Sequence, residues 1–248
     1  MNTVLELSKF NCFTFEETEH SYYYFDKKTQ LNRKIKTSAT KIVEKYAQKF
    51  DSDKWSKIKA SQQGISQEQV LGEWDTMKTK AGGRGTNLHT YLELRMNNKI
   101  IKNLPVEGEL KSKADKFYND IYGNLIPVKS ELVVGDIEYD LAGMVDQLFF
   151  SPKHDSLLLF DWKTNKAMNR SNKYGEKMLA PFEELDDCNY NHYSLQLAIY
   201  KHLIEKNTSL KIPKCFIVWF GSKEKPYEII ETLKIDEQKL IQVLSKNE

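Results

Sequence analysis

An acid and an amine separated by one residue are the first candidates for chemistry. Asp161 and Lys163 close the run Leu157-Leu158-Leu159-Phe160-Asp161-Trp162-Lys163-Thr164. The apolar residues before them read as a short strand buried on both faces. Side chains alternate along a strand, so Asp161 and Lys163 emerge on one side and Trp162 on the other. Such a pair leaving a hydrophobic strand is poorly explained by packing and well explained by a divalent cation with an attacking water. Upstream, Gly143-Met144-Val145-Asp146 reads as the end of a neighbouring strand carrying a second carboxylate. Hard oxygen ligands of this kind suit Mg2+ or Mn2+. The set fits hydrolysis of a phosphodiester, which needs a water activated, charge on phosphorus offset and the departing oxygen assisted. Asp146 and Asp161 are the minimal metal anchors, and the main-chain carbonyl of Trp162 adds a ligand. Lys163 either orients or deprotonates the water, or offsets the phosphorane charge, and residue type does not choose between these.

Other residues extend the set. In Gly82-Gly83-Arg84-Gly85-Thr86-Asn87-Leu88-His89 the glycines predict a flexible turn, with Thr86 as the N-cap of a following helix. His89 and Glu93 then share a helix face. Taken alone they make a structural pair; beside the carboxylates, the His89 imidazole becomes a metal ligand that favours Mn2+. Glu131 lies in a predicted strand between apolar positions, either solvated or turned toward a charged site. Gly143 permits close approach of backbone or substrate. Other chemistries fit less well. No Gly-Lys-Ser/Thr follows suitable glycines, Cys188 and His192 lack a second ligand pair for zinc, and residues 85–88 lack the character of a serine elbow.

These residues need strands and helices to hold them. Residues 13–25, with Tyr22-Tyr23-Tyr24-Phe25, read as a hairpin or small sheet whose aromatics form core. Thr37 or Ser38 caps a helix with Ile42, Val43, Tyr46 and Phe50 on one face. A charged helical stretch around Trp55, Ile58 and residues 70–74 breaks near Gly64. Residues 106–122 form a helix with Leu110, Ala114, Phe117 and Ile121 on one side. Strands follow over 126–134, 137–150 and 156–163. Residues 165–187, with Lys166, Arg170, Lys173 and Lys177, are polar and irregular, the pattern of a functional crossover. A helix over 190–205, strands over 215–220 and 227–233, and a last helix capped by Asp236 complete the chain. No repeat or linker interrupts it, so the expectation is a single α/β domain over 1–248, with a hairpin and helical elaboration over 1–80 and a core over 81–235.

Composition bounds the reading. With 248 residues, 40% hydrophobic and 29% charged, the chain can bury a core and is not of the disordered class. No apolar run approaches the roughly 20 residues that span a bilayer, so no membrane partner is expected. The first ten residues do not resemble a secretory signal. Cys12, Cys188 and Cys215, odd in number and far apart, point to free thiols and a cytoplasmic location, that of the host if the source is viral. The net charge is only +2, yet residues 27–84 hold 14 Lys and Arg against 6 Asp and Glu, a surplus of eight. Such a region suits a polyanionic substrate.

Four motifs now stand in order: Gly85-Thr86-Asn87-Leu88-His89, Gly143-Met144-Val145-Asp146, Asp161-Trp162-Lys163-Thr164-Asn165 and Gln196-Leu197-Ala198-Ile199-Tyr200. Together they resemble the PD-(D/E)XK nuclease superfamily, in its RecB-like branch of mitochondrial genome-maintenance, CRISPR-associated and phage exonucleases. The likeness runs from about residue 37 to 220, and residues 178–196 are most similar to phage versions. It implies a restriction-endonuclease-like central mixed β-sheet flanked by helices. It also implies His89, Asp146, Asp161 and the Trp162 carbonyl as metal ligands, Lys163 as the catalytic lysine and Glu131 as a supporting acid. Arg84, Thr164, Asn165, Lys166, Gln196 and Tyr200 fall at substrate-binding positions. Val145 stands where the superfamily's name has proline, as is common in this branch. Some members carry an iron–sulfur cluster on four cysteines; with three here, none is expected. The resemblance implies a Mg2+- or Mn2+-dependent DNA exonuclease acting on single-stranded ends in replication, recombination or repair. Replication or recombination proteins are its expected partners, and any unwinding would come from one of them. A ring-forming exonuclease that degrades duplexes, and a nucleic-acid-binding module that has lost the reaction, are the alternatives.

Overall fold

The computed structural model describes residues 3–246, so the two outermost residues at each end of the expected 1–248 domain lie outside the described residues. The chain opens with helix α1 (Thr3–Leu7) and a 3-10 turn, Ser8–Cys12, that lead into a small antiparallel sheet. That sheet is β1 (Phe13–Glu16), β2 (Ser21–Asp26) and β3 (Leu31–Lys34), in that order. Then come β4 (Thr37–Ser38), α2 (Ala39–Tyr46), α3 (Ser52–Gln63), α4 (Gln67–Met96) and α5 (Gly108–Ile121). The second half holds β5 (Ile126–Asp136), β6 (Leu141–Ser151), β7 (Ser156–Lys163), α6 (Asn189–Asn207), β8 (Lys214–Trp219), β9 (Glu228–Glu231) and α7 (Glu237–Ser245).

The larger sheet is mixed and six-stranded. β5 lies antiparallel along one edge of β6. The other edge of β6 is shared: β4 runs parallel beside Leu141 and Ala142, while β7 runs antiparallel beside residues 147–151. Residues 143–146 therefore have no strand neighbour on that side. β8 continues parallel to β7, and β9 closes the sheet antiparallel to β8.

Alternation along β7 sorts its side chains between two cores. Leu157 and Leu159 join a cluster with residues of α2 and α6, including Ile42, Val43, Leu195 and Ile199. Leu158, Phe160 and Trp162 join Leu88 and Leu92 of α4 and Phe117 of α5 on the opposite face. Helices thus flank the sheet on both sides, and β7 is buried throughout its apolar run. A strand enclosed in this way reads as continuous hydrophobicity, as this one does.

Three elements depart from the sequence pattern. The glycine run 82–85 lies inside α4, a 30-residue helix begun by a capping box between Ser66 and Gln69. Each helical glycine costs only about 1 kcal/mol, which the cap and the continuing hydrogen-bond ladder outweigh. Thr86 is therefore interior, and its carbonyl accepts from Thr90 Oγ1 at 3.1 Å. α2 stops at Tyr46, which leaves Phe50 outside it and exposed. β6 begins at Leu141 because Asp140 turns the chain with φ 46°. Gly64 ends α3 in the left-handed conformation, where glycine is favoured.

Candidate active site

The unpaired stretch of β6 is where the acids gather. Strand β7 leaves the ladder after Phe160, so the Trp162 N–H has no donor route to β6 backbone there. It donates instead to Asp146 Oδ2 at 2.6 Å. Asp146 thereby takes the place of a missing strand partner and is buried. Glu131 reaches it from β5: the pairs Ser130↔Gln147 and Leu132↔Val145 on either side place Glu131 opposite Asp146. Glu131 adopts φ 46°, a left-handed conformation uncommon for a non-glycine residue and enriched at functional sites. Like charges directly opposed across a ladder are destabilising unless something offsets them.

His89 comes in from α4. Its Nδ1 lies 3.4 Å from Asp146 Oδ1 and 3.8 Å from Glu131 Oε1. Its Nε2 lies 3.2 Å from the Trp162 carbonyl oxygen, so an Nε2–H donates there and Nδ1 is turned to the acids. One donor atom each from His89, Glu131 and Asp146 fall within 4.8 Å of one another. Glu131 Oε1 is buried with no hydrogen-bond partner among the described residues. An orphaned carboxylate oxygen beside a second carboxylate and an imidazole nitrogen is a donor set that fits Mg2+ or Mn2+. His89 is thus matched to residues distant in sequence rather than to Glu93, whose carboxylate lies 3.8 Å from Lys99.

Asp161 and Lys163 form an adjoining pair, with Lys163 Nζ 2.5 Å from Asp161 Oδ2. The Lys163 ammonium also lies 4.7 Å from the centre of the Tyr193 ring on α6, a cation–π contact. Trp162 points away and packs edge-on to Phe117 at 5.3 Å. The compact three-donor group contains Glu131 where the sequence pattern put Asp161, and the Trp162 carbonyl is engaged by His89.

Charge in this space is strongly perturbed. Burial pushes the Glu131 carboxyl up to about 8, and the Asp146 charge adds to the effect. Burial likewise lifts Asp161 to about 6. Desolvation works against a charged His89, but Asp146 and Glu131 outweigh it and raise the imidazole to about 9. Desolvation also opposes the Lys163 charge, and Asp161 and Asp146 more than compensate, so its pKa rises. Asp146 is lowered: burial acts against its charge, and His89 and Lys163 prevail. Two buried acids and the half-buried Glu131, with two cations, leave an excess of negative charge when all are ionised, the condition a divalent ion relieves.

The substrate candidates are distributed around this core. Gln196 Nε2 donates to the Tyr200 hydroxyl at 2.7 Å and lies 3.5 Å from Thr40 Oγ1. Tyr200 is buried, and its ring occupies the space a Cβ at Gly143 would need, so Gly143 admits a side chain of the protein itself. Thr164 Oγ1 sits 3.8 Å from where a Gly85 Cβ would lie, which joins the start of the crossover to α4. The Asn165 side chain donates to the Ala167 carbonyl, and the main-chain carbonyl of Asn165 accepts from Trp219 Nε1 at 2.6 Å. Lys166 is exposed. Arg84 is salt-bridged to Glu107 at 3.2 Å and lines a cavity of about 330 Å3 with Lys80 and Asn87. Two residues escaped the sequence reading. Tyr193 holds Lys163, and Tyr22 of β2 has its hydroxyl raised to about 12 by burial and by Asp146 and Glu131. Nothing in the pattern of Tyr22-Tyr23-Tyr24 distinguishes the one that faces the acids.

No known family model matches the chain, and no curated protein is significantly similar to it.

Proposed function

We propose that this protein is a divalent-metal-dependent nuclease of the PD-(D/E)XK kind, hydrolysing DNA from single-stranded ends. The observation that carries the reading is the convergence of His89, Glu131 and Asp146 from three elements beside the Asp161–Lys163 pair. His89, Glu131 and Asp146 would hold the ion, with Asp161 adjoining. A bound Mg2+ or Mn2+ supplies Lewis-acid character and lowers the pKa of water. The chain's own residues supply the rest. Trp162 fixes the His89 ring so that Nδ1 faces the acids. Lys163, held 2.5 Å from Asp161 Oδ2, would place positive charge against the phosphate. The basic surplus over residues 27–84 and the exposed Lys166, Arg170 and Lys173 draw in a polyanion. The preference for single-stranded ends follows from the resemblance; Trp55 on α3 meets Tyr174 of the crossover, ring centres 6.0 Å apart, so the helical elaboration touches the segment that follows Lys163.

End-labelled single strands, duplexes and circular single strands, each with Mg2+ or Mn2+, test this. Linear single strands should be degraded and circles spared. Cutting of circles at the linear rate overturns the exonuclease reading, and degradation of duplexes alone replaces it with the duplex-specific one. Asp161→Ala and Lys163→Ala should each abolish cleavage with DNA binding retained; activity in both overturns the site.

A further inference from the structure

We infer that Trp55 and Tyr174, with Phe50 and Trp74 beside them, form a base-stacking platform for an unpaired nucleic-acid strand, outside the pocket that holds the acids. The inference rests on the nuclease reading for its ligand class and goes beyond it in naming where the strand is gripped. Large rings are normally buried, yet Phe50 is 66% exposed, Tyr174 62% and Trp55 36%. They meet in two pairs that each join separate parts of the chain. Phe50, after α2, lies 5.6 Å from Trp74 of α4, and Trp55 of α3 lies 6.0 Å from Tyr174 at an interplanar angle of 30°.

Lysines lie over these rings. Lys54 Nζ is 5.7 Å from the Trp55 ring, Lys59 Nζ 5.7 Å from Trp74 and Lys173 Nζ 4.8 Å from Tyr174. An apolar protein partner would have no use for ammonium groups within about 6 Å of three of the four rings. A nucleic-acid strand matches both features, since its bases have π faces and its backbone carries negative charge. The location sets a length. Trp74 and His89 lie fifteen residues apart on α4, about 22 Å at 1.5 Å per residue. At the roughly 3.4 Å per nucleotide of a stacked duplex strand, some six or seven nucleotides would reach from the level of Trp74 to that of His89.

The test is equilibrium binding of fluorescein-labelled dT6 and dT20 in EDTA, so that no cleavage occurs. The double variant Trp55→Ala/Tyr174→Ala should weaken dT20 binding roughly tenfold or more, the scale of losing one or two stacked bases. The ratio of dT20 to dT6 affinity should collapse toward one. Trp55→Phe/Tyr174→Phe should restore it, which separates lost stacking from a damaged fold. Equal dT20 affinity in wild type and the alanine variant, or no dT20 binding by the wild type, overturns the platform. If dT20 binds and responds as expected but Mn2+ brings no cleavage, the nuclease reading fails while the platform stands.

Discussion

Glu131 carries a conflict that a cation resolves. Its carboxyl is half-buried opposite Asp146 and titrates near 8, against 4.5 for an ordinary glutamate. The folded chain therefore keeps a proton there that the unfolded chain has lost. Without metal, stability falls as pH rises from about 4.5 to about 8, and the penalty is complete above that window. Glu131→Gln should raise the Tm of the metal-free protein near pH 9 and change it little near pH 4, as followed by calorimetry. The same variant should shrink the rise in Tm that Mn2+ gives the wild type, since fewer ligands bind the native state. At Lys163 the expectation is kinetic. Lys163→Gln should lower kcat about 100-fold or more with single-strand Kd little changed, measured by single-turnover cleavage and anisotropy. Asp161 and Lys163 were legible in the sequence because period-two alternation beside a buried run is a local signal. The place of Glu131 was not, because it depends on a left-handed residue and on a register fixed across two strands. Tyr193 was hidden for a similar reason, since its contact with Lys163 joins α6 to β7 through space.

α4 shows how a local signal misleads at the scale of an element. Three glycines within four residues read as a turn, yet a cap sixteen residues before Gly82 and apolar residues on its far half carry one helix through them. Gly82 and Gly83 have open space where a side chain would go, so Gly82→Ala and Gly83→Ala should each stabilise the protein by about 0.5–1 kcal/mol in thermal melts. Gly143 is the opposite case. A Cβ there would strike the buried Tyr200 ring and lie 3.3 Å from Ala39 Cβ. Gly143→Ala should cost about 1–3 kcal/mol, checked by urea unfolding. The long strands and α5 and α6 were readable from periodicity. The two-residue β4 was not, since its existence depends on where β6 leaves a free edge.

Across the molecule, the sheet and the helix behind it are tied by a buried charge. Asp136 at the end of β5 accepts from Lys206 at 2.6 Å and from Asn207 at 3.0 Å, both near the end of α6. Burial acts against its charge, but Lys206 and Asn207 prevail and hold its pKa below the usual 3.8. A depressed carboxylate stabilises fully above its unfolded value, and the contribution is lost as pH falls through the folded one. Asp136→Asn should therefore cost about 1–3 kcal/mol at neutral pH and flatten acid unfolding below about pH 4, followed by circular dichroism. A single α/β domain was evident from the order of strand-like and helical stretches, whereas the placing of helices on both faces of the sheet came from the resemblance. The divided edge of β6 was not, because it emerges only when two distant strands claim the same neighbour. That division affects how the protein should be disabled. Asp146 stitches a seam in the sheet through the Trp162 amide as well as presenting charge. Alanine at that position would unpick the seam, and a dead enzyme would then report on architecture. Asparagine keeps an oxygen for the amide while removing the charge, and is the substitution from which silence can be interpreted.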